Sequence, residues 1–360
     1  MMNPMTGVRQ ALTHAWNGQG GWGLFMAQAL RPVSRLFGAL VVLRRMLYQL
    51  GVYKPHTLPV PVIVVGNVMV GGVGKTPVTM ALVQHLTAQG WRVGVLSRGY
   101  GRHPSHNSPD IQAVTPHSRA EDVGDEPLLM ARTCHVPVVV GANRAAAGRA
   151  LLQQHPDVQV LVCDDGLQHW ALARDLELCV FDERGVGNGL LLPAGPLREP
   201  WPRRPVTPNV PTLLVQTSGV ARPGFFQVTR ALADHALQAD GTQRQLQSWG
   251  HTPVQALAGI AKPEVFFAIL RAKGLTLAHT QALPDHADLQ DLQVDGTLAS
   301  PEGDVFCTEK DAVKLWAIDP QAWAVPLETT LPVDLLAAVD QHLTAAQRAK
   351  LSSPHGHQTA

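Results

Sequence analysis

The stretch that decides the fold is residues 61–76, which spell PVIVVGNVMVGGVGKT. Residues 61–66 form a short β-branched run that ends in glycine, and such a run predicts a buried strand. After Lys75 apolar residues recur at near-helical spacing, which predicts a helix that ends at Gly90. Strand, glycine-rich loop, Gly-Lys-Thr and helix together are typical of a phosphate loop, because backbone N–H groups and the helix N-terminus attract anions.

The side chains of this loop have predictable roles. Lys75 is expected to reach the β- and γ-phosphates of ATP, and the Thr76 hydroxyl is expected to bind Mg²⁺. The usual G-x-x-x-x-G-K-[ST] pattern has glycine where this chain has Met69, and Gly71-Gly72 supply the missing flexibility. A glycine turn with a purely structural role is the alternative, against which the flanking strand and helix argue. The residues predicted to contact ATP are Met69, Val70, Gly71, Gly72, Val73, Gly74, Lys75 and Thr76.

An acidic pair, Asp164-Asp165, follows the strand-like run VQVLVC. Carboxylates at the carboxyl end of a strand beside a phosphate loop can hold Mg²⁺ directly or through water. A helix cap is the other role for such a pair. Together with the loop, the pair predicts a site for a nucleoside triphosphate and Mg²⁺, and it leaves the acceptor open.

Strand-like runs alternate with helical runs along the chain, which predicts a doubly wound, mainly parallel α/β sheet. A length of 360 residues favours two domains. Prolines crowd residues 192–211 and mark a long loop that could connect them. We therefore expect a basic, apolar segment at the membrane interface (1–57), a phosphate-loop core (58–205), a second, smaller α/β domain whose helices could return to the core (206–350) and a mobile tail (351–360).

The N-terminal third has no acidic residue before Asp110, although it carries ten lysines and arginines. This asymmetry favours an anionic partner: nucleotide, nucleic acid or anionic lipid. The apolar run 36–43 is too short to cross a membrane, which takes about 20 residues. With Arg44 and Arg45 it could form a helix in the membrane interface or a packing helix with arginine on its solvent side.

Eight blocks in the chain resemble the tetraacyldisaccharide 4′-kinase family of lipid A synthesis. In order they are GNVMVGGVGKTP, SRGYGR, GDEP, DDGLQH, LLPAGPLREP, AGIAKPEVFF, PDHADL and FCTEKDAVK, which together extend over about residues 60–316. Two positions depart from the family. Met69 replaces a small hydroxyl residue, and Ala287 follows Asp285-His286 where the family often has a second histidine.

The resemblance implies that ATP and Mg²⁺ phosphorylate the 4′-hydroxyl of a tetraacyldisaccharide 1-phosphate to give lipid IV-A. It also implies two α/β units and an N-terminal helix that touches an anionic membrane, at the cytoplasmic face of the bacterial inner membrane. No obligate protein partner and no nucleic acid is expected. Aromatic residues make up only 5% of the chain, too few for base-stacking platforms.

The family also implies residue roles. Its base corresponds to Asp125 in GDEP, and His286, oriented beside Asp285, would assist it as a dyad. Glu126 and Asp165 would act near Mg²⁺, with Asp164 in support. Arg98, Arg102 and Lys310 are candidates for holding phosphates of ATP or of the substrate. Gln168 and His169 would contact the second domain or the nucleotide.

Two other functions fit parts of the sequence. A regulatory ATPase or GTPase with a deviant phosphate loop, acting on a partner protein, would suit VGGVGKT equally well. No clear guanine-selecting Asn-Lys-x-Asp element is present, and GDEP and PDHA would have no assigned role. A soluble kinase of a small metabolite would explain the site, but not the basic and apolar N-terminus.

Overall fold

The computed structural model describes residues 16, 21–102, 109–203, 205–207, 209–284 and 303–352. Its strands are β1 (Val62–Gly66), β2 (Val93–Ser97), β3 (Gln112–Val114), β4 (Val138–Val140), β5 (Val160–Asp164), β6 (Leu176–Phe181), β7 (Thr212–Gln216), β8 (Phe226–Gln227), β9 (Thr229–Leu232), β10 (His235–Leu237), β11 (Gln243–Gln245), β12 (Pro253–Ala258), β13 (Thr276–Ala282), β14 (Val305–Thr308), β15 (Trp323–Val325) and β16 (Leu327–Thr330). Its α-helices are α1 (Gly21–Ala29), α2 (Arg31–Gln49), α3 (Lys75–Ala88), α4 (Ala120–Val123), α5 (Asp125–Cys134), α6 (Arg144–Gln154), α7 (Pro263–Ala272), α8 (Glu309–Leu315) and α9 (Val333–Leu351).

The chain forms two compact units, and neither is a single stretch of sequence. The first unit takes in residues 1–96, 144–229 and 331–360, and the second takes in 97–143 and 230–330. This division differs from the sequential one that we predicted, because the chain leaves the first unit after β2 and returns to it twice. Helix α9 does return to the phosphate-loop unit. The predicted mobile tail lies almost entirely outside the described residues.

Six strands of the first unit lie side by side in the order β2-β5-β1-β6-β7-β8. Each strand is parallel to its neighbours, with Val65 of β1 opposite Asp164 of β5. Strands β1 and β5 are buried along their whole length. Parallel sheets are normally covered on both faces, and this explains the continuous apolar runs in the sequence. The predicted parallel α/β core is confirmed.

The second unit has a mixed sheet in the order β11-β10-β15-β14-β12-β13. Strands β12, β13, β14 and β15 pair in parallel, and β10 pairs antiparallel with β11 and β15. Its core contains Trp249, Phe306 and Trp323, whose rings meet edge to face. Thr308 caps α8 by accepting from the Asp311 amide. Strands β3 and β4 also belong to this unit and pair antiparallel.

Helix α2 belongs to the first unit and has two contrasting faces. Its buried stripe consists of Ser34, Gly38 and Arg45. Leu191 packs against Ser34 and Gly38 of this stripe. Its carbonyl oxygen accepts from Ser34 Oγ at 2.8 Å, and its side chain would collide with any Cβ at Gly38. Many of the apolar residues of α2 instead face outward, among them Leu36, Leu40 and Leu43. None of the helices in the described part of the chain is both long enough and apolar enough to span a membrane.

Candidate active site

The phosphate loop joins β1 to α3 as the sequence predicted. Gly71 and Gly74 have positive φ angles of 103° and 81°, a backbone region that glycine enters without strain. The first amide of α3 to donate into the helix is that of Val78, which lies 3.4 Å from Gly74 O. The preceding amides, including those of Lys75 and Thr76, are not used inside the helix. A helix N-terminus of this kind is an anion-binding site.

The proline-rich stretch supports the outer side of this loop. The Val70 amide donates to Pro196 O at 2.8 Å, and the Arg198 amide donates to Val68 O at 2.7 Å. Met69 and Leu197 form an isolated antiparallel bridge. The expectation that residues 192–211 connect two domains is therefore wrong, because the whole stretch lies within the first unit. Its prolines interrupt regular structure, but its backbone pairs with the phosphate loop.

The acidic pair at the end of β5 faces the loop. Asp164 is buried and accepts from Thr79 Oγ1 at 2.7 Å, one turn after Lys75 on α3. The carboxylate of Asp165 lies 3.7 Å from Lys75 Nζ and 2.9 Å from the Arg198 guanidinium. Burial alone would raise the pKa of Asp165, but the charges of Lys75 and Arg198 outweigh burial and hold that pKa below its usual value.

Gln168 and His169 follow the acidic pair, and their contacts described here lie within the first unit. Gln168 Nε2 donates to Asn67 O and to Glu199 Oε1, both at 2.9 Å. The ring nitrogen Nε2 of His169 accepts from the Arg144 amide at 3.3 Å. The expected contacts of this pair with the second domain or the nucleotide stay predictions.

Sequence reasoning missed several residues that surround the loop. Arg198 contacts Asp165, and Arg184 donates to Gly72 O at 3.1 Å while it pairs with Asp182. Thr79 and Glu199 were missed as well. Arg198 and Glu199 lie in the family-like block LLPAGPLREP, and Thr79 lies one helical turn after Lys75. These three positions were therefore visible in the sequence, but their contacts were not.

Asp125 opens helix α5 in the second unit and is buried. Its carboxylate lies 2.9 Å from Nζ of Lys314 on α8. The preceding Gly124 has φ +93°, and a Cβ there would come within 3.0 Å of Tyr100 O. The SRGYGR loop therefore packs closely on the start of α5. This close approach explains why a glycine precedes Asp125.

The remaining predicted side chains that the structure describes lie in the second unit. Arg98 is exposed, Glu126 and Lys310 are half-buried, and all three belong to the second unit. Arg102, also in the second unit, donates to the backbone and carboxylate of Asp110. Glu126 is therefore in a different unit from the other predicted Mg²⁺ ligands, Thr76, Asp164 and Asp165.

Asp285 and His286 lie outside the described residues. The chain that leads to them is fixed beside β12, because the Leu283 amide donates to Ala258 O at 2.9 Å. A Cβ at Gly259 would lie 3.3 Å from Pro284 O, and the Gly259 amide donates to the Asp311 carboxylate at 3.0 Å. Burial raises the pKa of Asp311, and the charge of Asp125 adds to this rise. The start of the PDHADL block and Asp125 therefore both neighbour α8 in the second unit.

Mg²⁺ fits the oxygen donors at the phosphate loop. No group of three or more His, Cys, Asp or Glu side chains in the described ranges is arranged to hold a metal ion. Mg²⁺ does not need such a group, because it keeps waters and binds one or two carboxylates together with substrate phosphates. Thr76, Asp164 and Asp165 carry hydroxyl and carboxylate oxygens, which are the kind of donor that Mg²⁺ prefers, so the residues present fit the predicted ion.

Three features define this chain as a P-loop protein that binds nucleoside triphosphates. They are a parallel sheet, a glycine-rich loop that leads into a helix with lysine at its start, and an acidic pair on the adjacent strand. The match to known families is more specific. The chain belongs to the family described as tetraacyldisaccharide-1-P 4′-kinase, whose profile matches residues 26–344.

Relatives match this chain over nearly its full length. Proteins named tetraacyldisaccharide 4′-kinase are 50% identical in Acidovorax ebreus (94% of this chain, 96% of the relative) and in Polaromonas naphthalenivorans (98% and 100%). A crystal structure of LpxK from Aquifex aeolicus in complex with ATP superposes with a TM-score of 0.74 at 30% identity, covering 89% of this chain and 99% of that one. These findings support the kinase hypothesis and not the regulatory ATPase.

Proposed function

We propose that this chain is an ATP-dependent lipid kinase that phosphorylates the 4′-hydroxyl of a tetraacyldisaccharide 1-phosphate and forms lipid IV-A. The observation that carries the proposal is the phosphate loop with Lys75 beside Asp165, in a chain that matches the kinase family from residue 26 to 344. The fold supplies the nucleotide site, and the family supplies the acceptor.

The first unit would bind ATP. The amides at the start of α3 and the ammonium group of Lys75 attract the β- and γ-phosphates. Thr76, Asp164 and Asp165 would hold Mg²⁺, which when bound neutralises charge on the transferred phosphoryl group. Asp165 suits this role because its lowered pKa keeps it ionised. Thr79 orients Asp164 through their 2.7 Å hydrogen bond.

The second unit would act on the acceptor. The 4′-hydroxyl oxygen attacks the γ-phosphorus, the bond from phosphorus to the bridging oxygen of ADP breaks, and the hydroxyl proton passes to a base. Asp125, assisted by His286 beside Asp285, is the proposed base. The ion pair with Lys314 holds the Asp125 carboxylate in place. Arg98, Arg102 and Lys310 would bind phosphates of ATP or the 1-phosphate of the substrate.

Helix α2 would hold the kinase at an anionic membrane surface. Its exposed apolar face consists of Leu36, Leu40 and Leu43 with Val33 and Met46, and each of these side chains is more than half exposed. By helical periodicity this face lies opposite the buried stripe, and Arg35 and Arg44 lie at its two edges. A helix with polar and small residues inside and leucines outside fits a lipid interface better than water.

This attachment gives the enzyme access to an acylated substrate that stays in the bilayer. We propose that the surface is the cytoplasmic face of the bacterial inner membrane, where ATP is available. The proposal rests on the faces of α2 and on the acid-free N-terminal third. It involves no obligate protein partner and no nucleic acid.

The experiment that tests the function uses the purified protein with γ-labelled ATP, Mg²⁺ and the tetraacyldisaccharide 1-phosphate in mixed micelles. We expect label in a bisphosphorylated lipid, and loss of labelling in Lys75→Met. Lys273→Met is the matched control and should keep wild-type labelling, because Lys273 is a half-buried lysine of the second unit that pairs with Asp234. Hydrolysis of ATP without lipid labelling would leave the nucleotide site standing and would reject the lipid acceptor.

A further inference from the structure

Glu199 is a buried carboxylate, 1% exposed, that the proposed reaction does not use. Its Oε1 accepts from Gln168 Nε2 at 2.9 Å. Its Oε2 accepts from the Arg45 guanidinium at 3.3 Å and lies 3.2 Å from Nε of Arg203. Glu199 therefore contacts helix α2 through one oxygen and the phosphate-loop side of the first unit through the other.

On the loop side, Gln168 also makes hydrogen bonds with Asn67 and Arg198. Its Nε2 also donates at 2.9 Å to Asn67 O, where the chain leaves β1 and enters the phosphate loop. Its Oε1 accepts at 3.3 Å from Arg198, which donates at 2.9 Å to Asp165. A carboxylate only accepts and a guanidinium only donates. Glu199 and Arg198 together therefore permit only one orientation of the Gln168 amide.

On the helix side, Arg45 is the charged residue of the buried stripe of α2. It reaches Glu199 from the face that also holds Ser34 against Leu191. The continuous chain of contacts therefore runs from α2 through Arg45, Glu199 and Gln168 to the loop entrance, and through Arg198 and Asp165 to Lys75 at 3.7 Å. All of these residues belong to the first unit.

We propose that Glu199 is a positioning residue for the phosphate loop and that Arg45 extends this support to helix α2, so that nucleotide affinity depends on how α2 is seated. The inference rests on the proposed ATP site and adds a link between that site and the membrane-facing helix. A purely structural ion pair would change the stability of the fold and would leave the affinity of the folded protein for nucleotide unchanged.

The test measures the Kd of a non-hydrolysable ATP analogue with Mg²⁺, without lipid, on full-length variants that have first been shown to be folded by thermal unfolding. We expect Arg45→Met and Glu199→Gln each to raise the Kd by about tenfold. The double variant should raise it by clearly less than the product of the two single increases, because both residues belong to one network. Arg45→Lys should recover part of the affinity. The matched controls Arg348→Met on α9 and Glu328→Gln, both exposed, should bind as wild type.

Steady-state kinetics with lipid then distinguishes a positioning role of Arg45 and Glu199 from a purely structural role. We expect the KM for ATP to rise in both variants and the KM for lipid to stay within about twofold of wild type, because only the loop side of the network is disturbed. Wild-type Kd values in folded Arg45→Met and Glu199→Gln, or multiplicative losses in the double variant, would overturn the inference. If Arg45→Met does not fold, Arg45→Lys and Glu199→Gln decide. Because binding is measured without lipid, failure of the kinase assay would reject the proposed acceptor and leave this result intact.

Discussion

Lys314 Nζ lies 2.9 Å from Asp125 Oδ2, and this ion pair joins the start of α5 to α8 in the second unit. The Asp125 side chain is 7% exposed and that of Lys314 is 22% exposed, so the pair is screened less than one at the surface. In the proposed mechanism, Lys314 would hold the Asp125 carboxylate in a fixed position for accepting the proton. Lys314 was not among the residues singled out from the sequence, although it lies in the family-like block FCTEKDAVK.

Replacing Lys314 with Met should lower kcat, because Asp125 loses the group that orients it. We expect a loss of about tenfold, below the 10²–10⁴-fold typical of removing a general base. The KM for ATP should stay unchanged, since the phosphate loop belongs to the first unit. Steady-state kinetics with lipid in micelles measures both constants. Lys314→Arg keeps the charge and should recover most of the rate. A wild-type kcat in Lys314→Met would contradict the proposal that Lys314 positions Asp125.

The charge environment of Asp165 makes a prediction about pH. Lys75 and Arg198 hold the pKa of Asp165 below its ordinary value of 3.8, so the carboxylate stays ionised into acid solution. Arg198→Met should raise that pKa, and the acid limb of Mg²⁺–analogue binding should move to higher pH. Titration of the Kd against pH measures the shift, with Arg348→Met as a control. An acid limb at the wild-type position would show that Asp165 does not take part in binding.

Local sequence patterns were enough to predict the phosphate loop and the parallel sheet. Neighbouring residues determine the strand that the β-branched run before Gly66 forms and the loop that leads to Gly-Lys-Thr at the start of α3. A single sequence is therefore enough to predict both. The contact of Arg45 with Glu199 joins residues 154 positions apart and leaves no local pattern. The two discontinuous units were unpredictable for the same reason, because neither return of the chain to the first unit is marked by composition.

The orientation of the N-terminal helix also could not be predicted from local sequence patterns. Its composition indicated a basic, apolar helix, but it left open which side would be buried. The structure buries Ser34, Gly38 and Arg45 and exposes Leu36, Leu40 and Leu43. This arrangement depends on two tertiary partners, Leu191 for Ser34 and Gly38 and Glu199 for Arg45, and these lie far away in sequence.

A buried charge cluster in the first unit should matter for stability. Glu177 pairs with Arg174 at 3.1 Å and with Arg203, and all three side chains are no more than 5% exposed. Burial would raise the pKa of Glu177, but the two arginines lower it overall. Glu177→Gln removes the carboxylate that pairs with Arg174 and leaves Arg203 with Glu199 alone. It should cost about 3–5 kcal/mol of unfolding free energy, measured by urea denaturation at pH 7.

The pH dependence of this cluster follows from the lowered pKa. The stabilisation by Glu177 is complete above its ordinary pKa of 4.5 and is lost as the pH falls through the lower folded value. The difference in unfolding free energy between wild type and Glu177→Gln should therefore shrink in acid. Glu328→Gln, an exposed glutamate, should change stability little at any pH. A constant difference between pH 7 and pH 3 would contradict the assigned ionisation.

The exposed apolar face of α2 predicts that the protein attaches to membranes through this helix. Leu40 is 56% exposed at the centre of that face. Full burial of a leucine side chain contributes about 1.5–3 kcal/mol, so Leu40→Glu should weaken partition onto anionic vesicles by at least about tenfold. Co-sedimentation with phosphatidylglycerol vesicles measures the effect. Val220→Glu is the matched control, because Val220 is a more exposed apolar residue of the same unit that lies away from α2 in sequence.

Salt separates the two contributions to this attachment. Raising the ionic strength screens the attraction of Arg35 and Arg44 to anionic lipid but does not weaken burial of the leucines. Wild-type protein should therefore bind less strongly in high salt and still sediment, whereas Leu40→Glu should be released. Equal sedimentation of Leu40→Glu and wild type at both salt concentrations would reject helix α2 as the membrane contact, and the exposed leucines would then need another apolar partner.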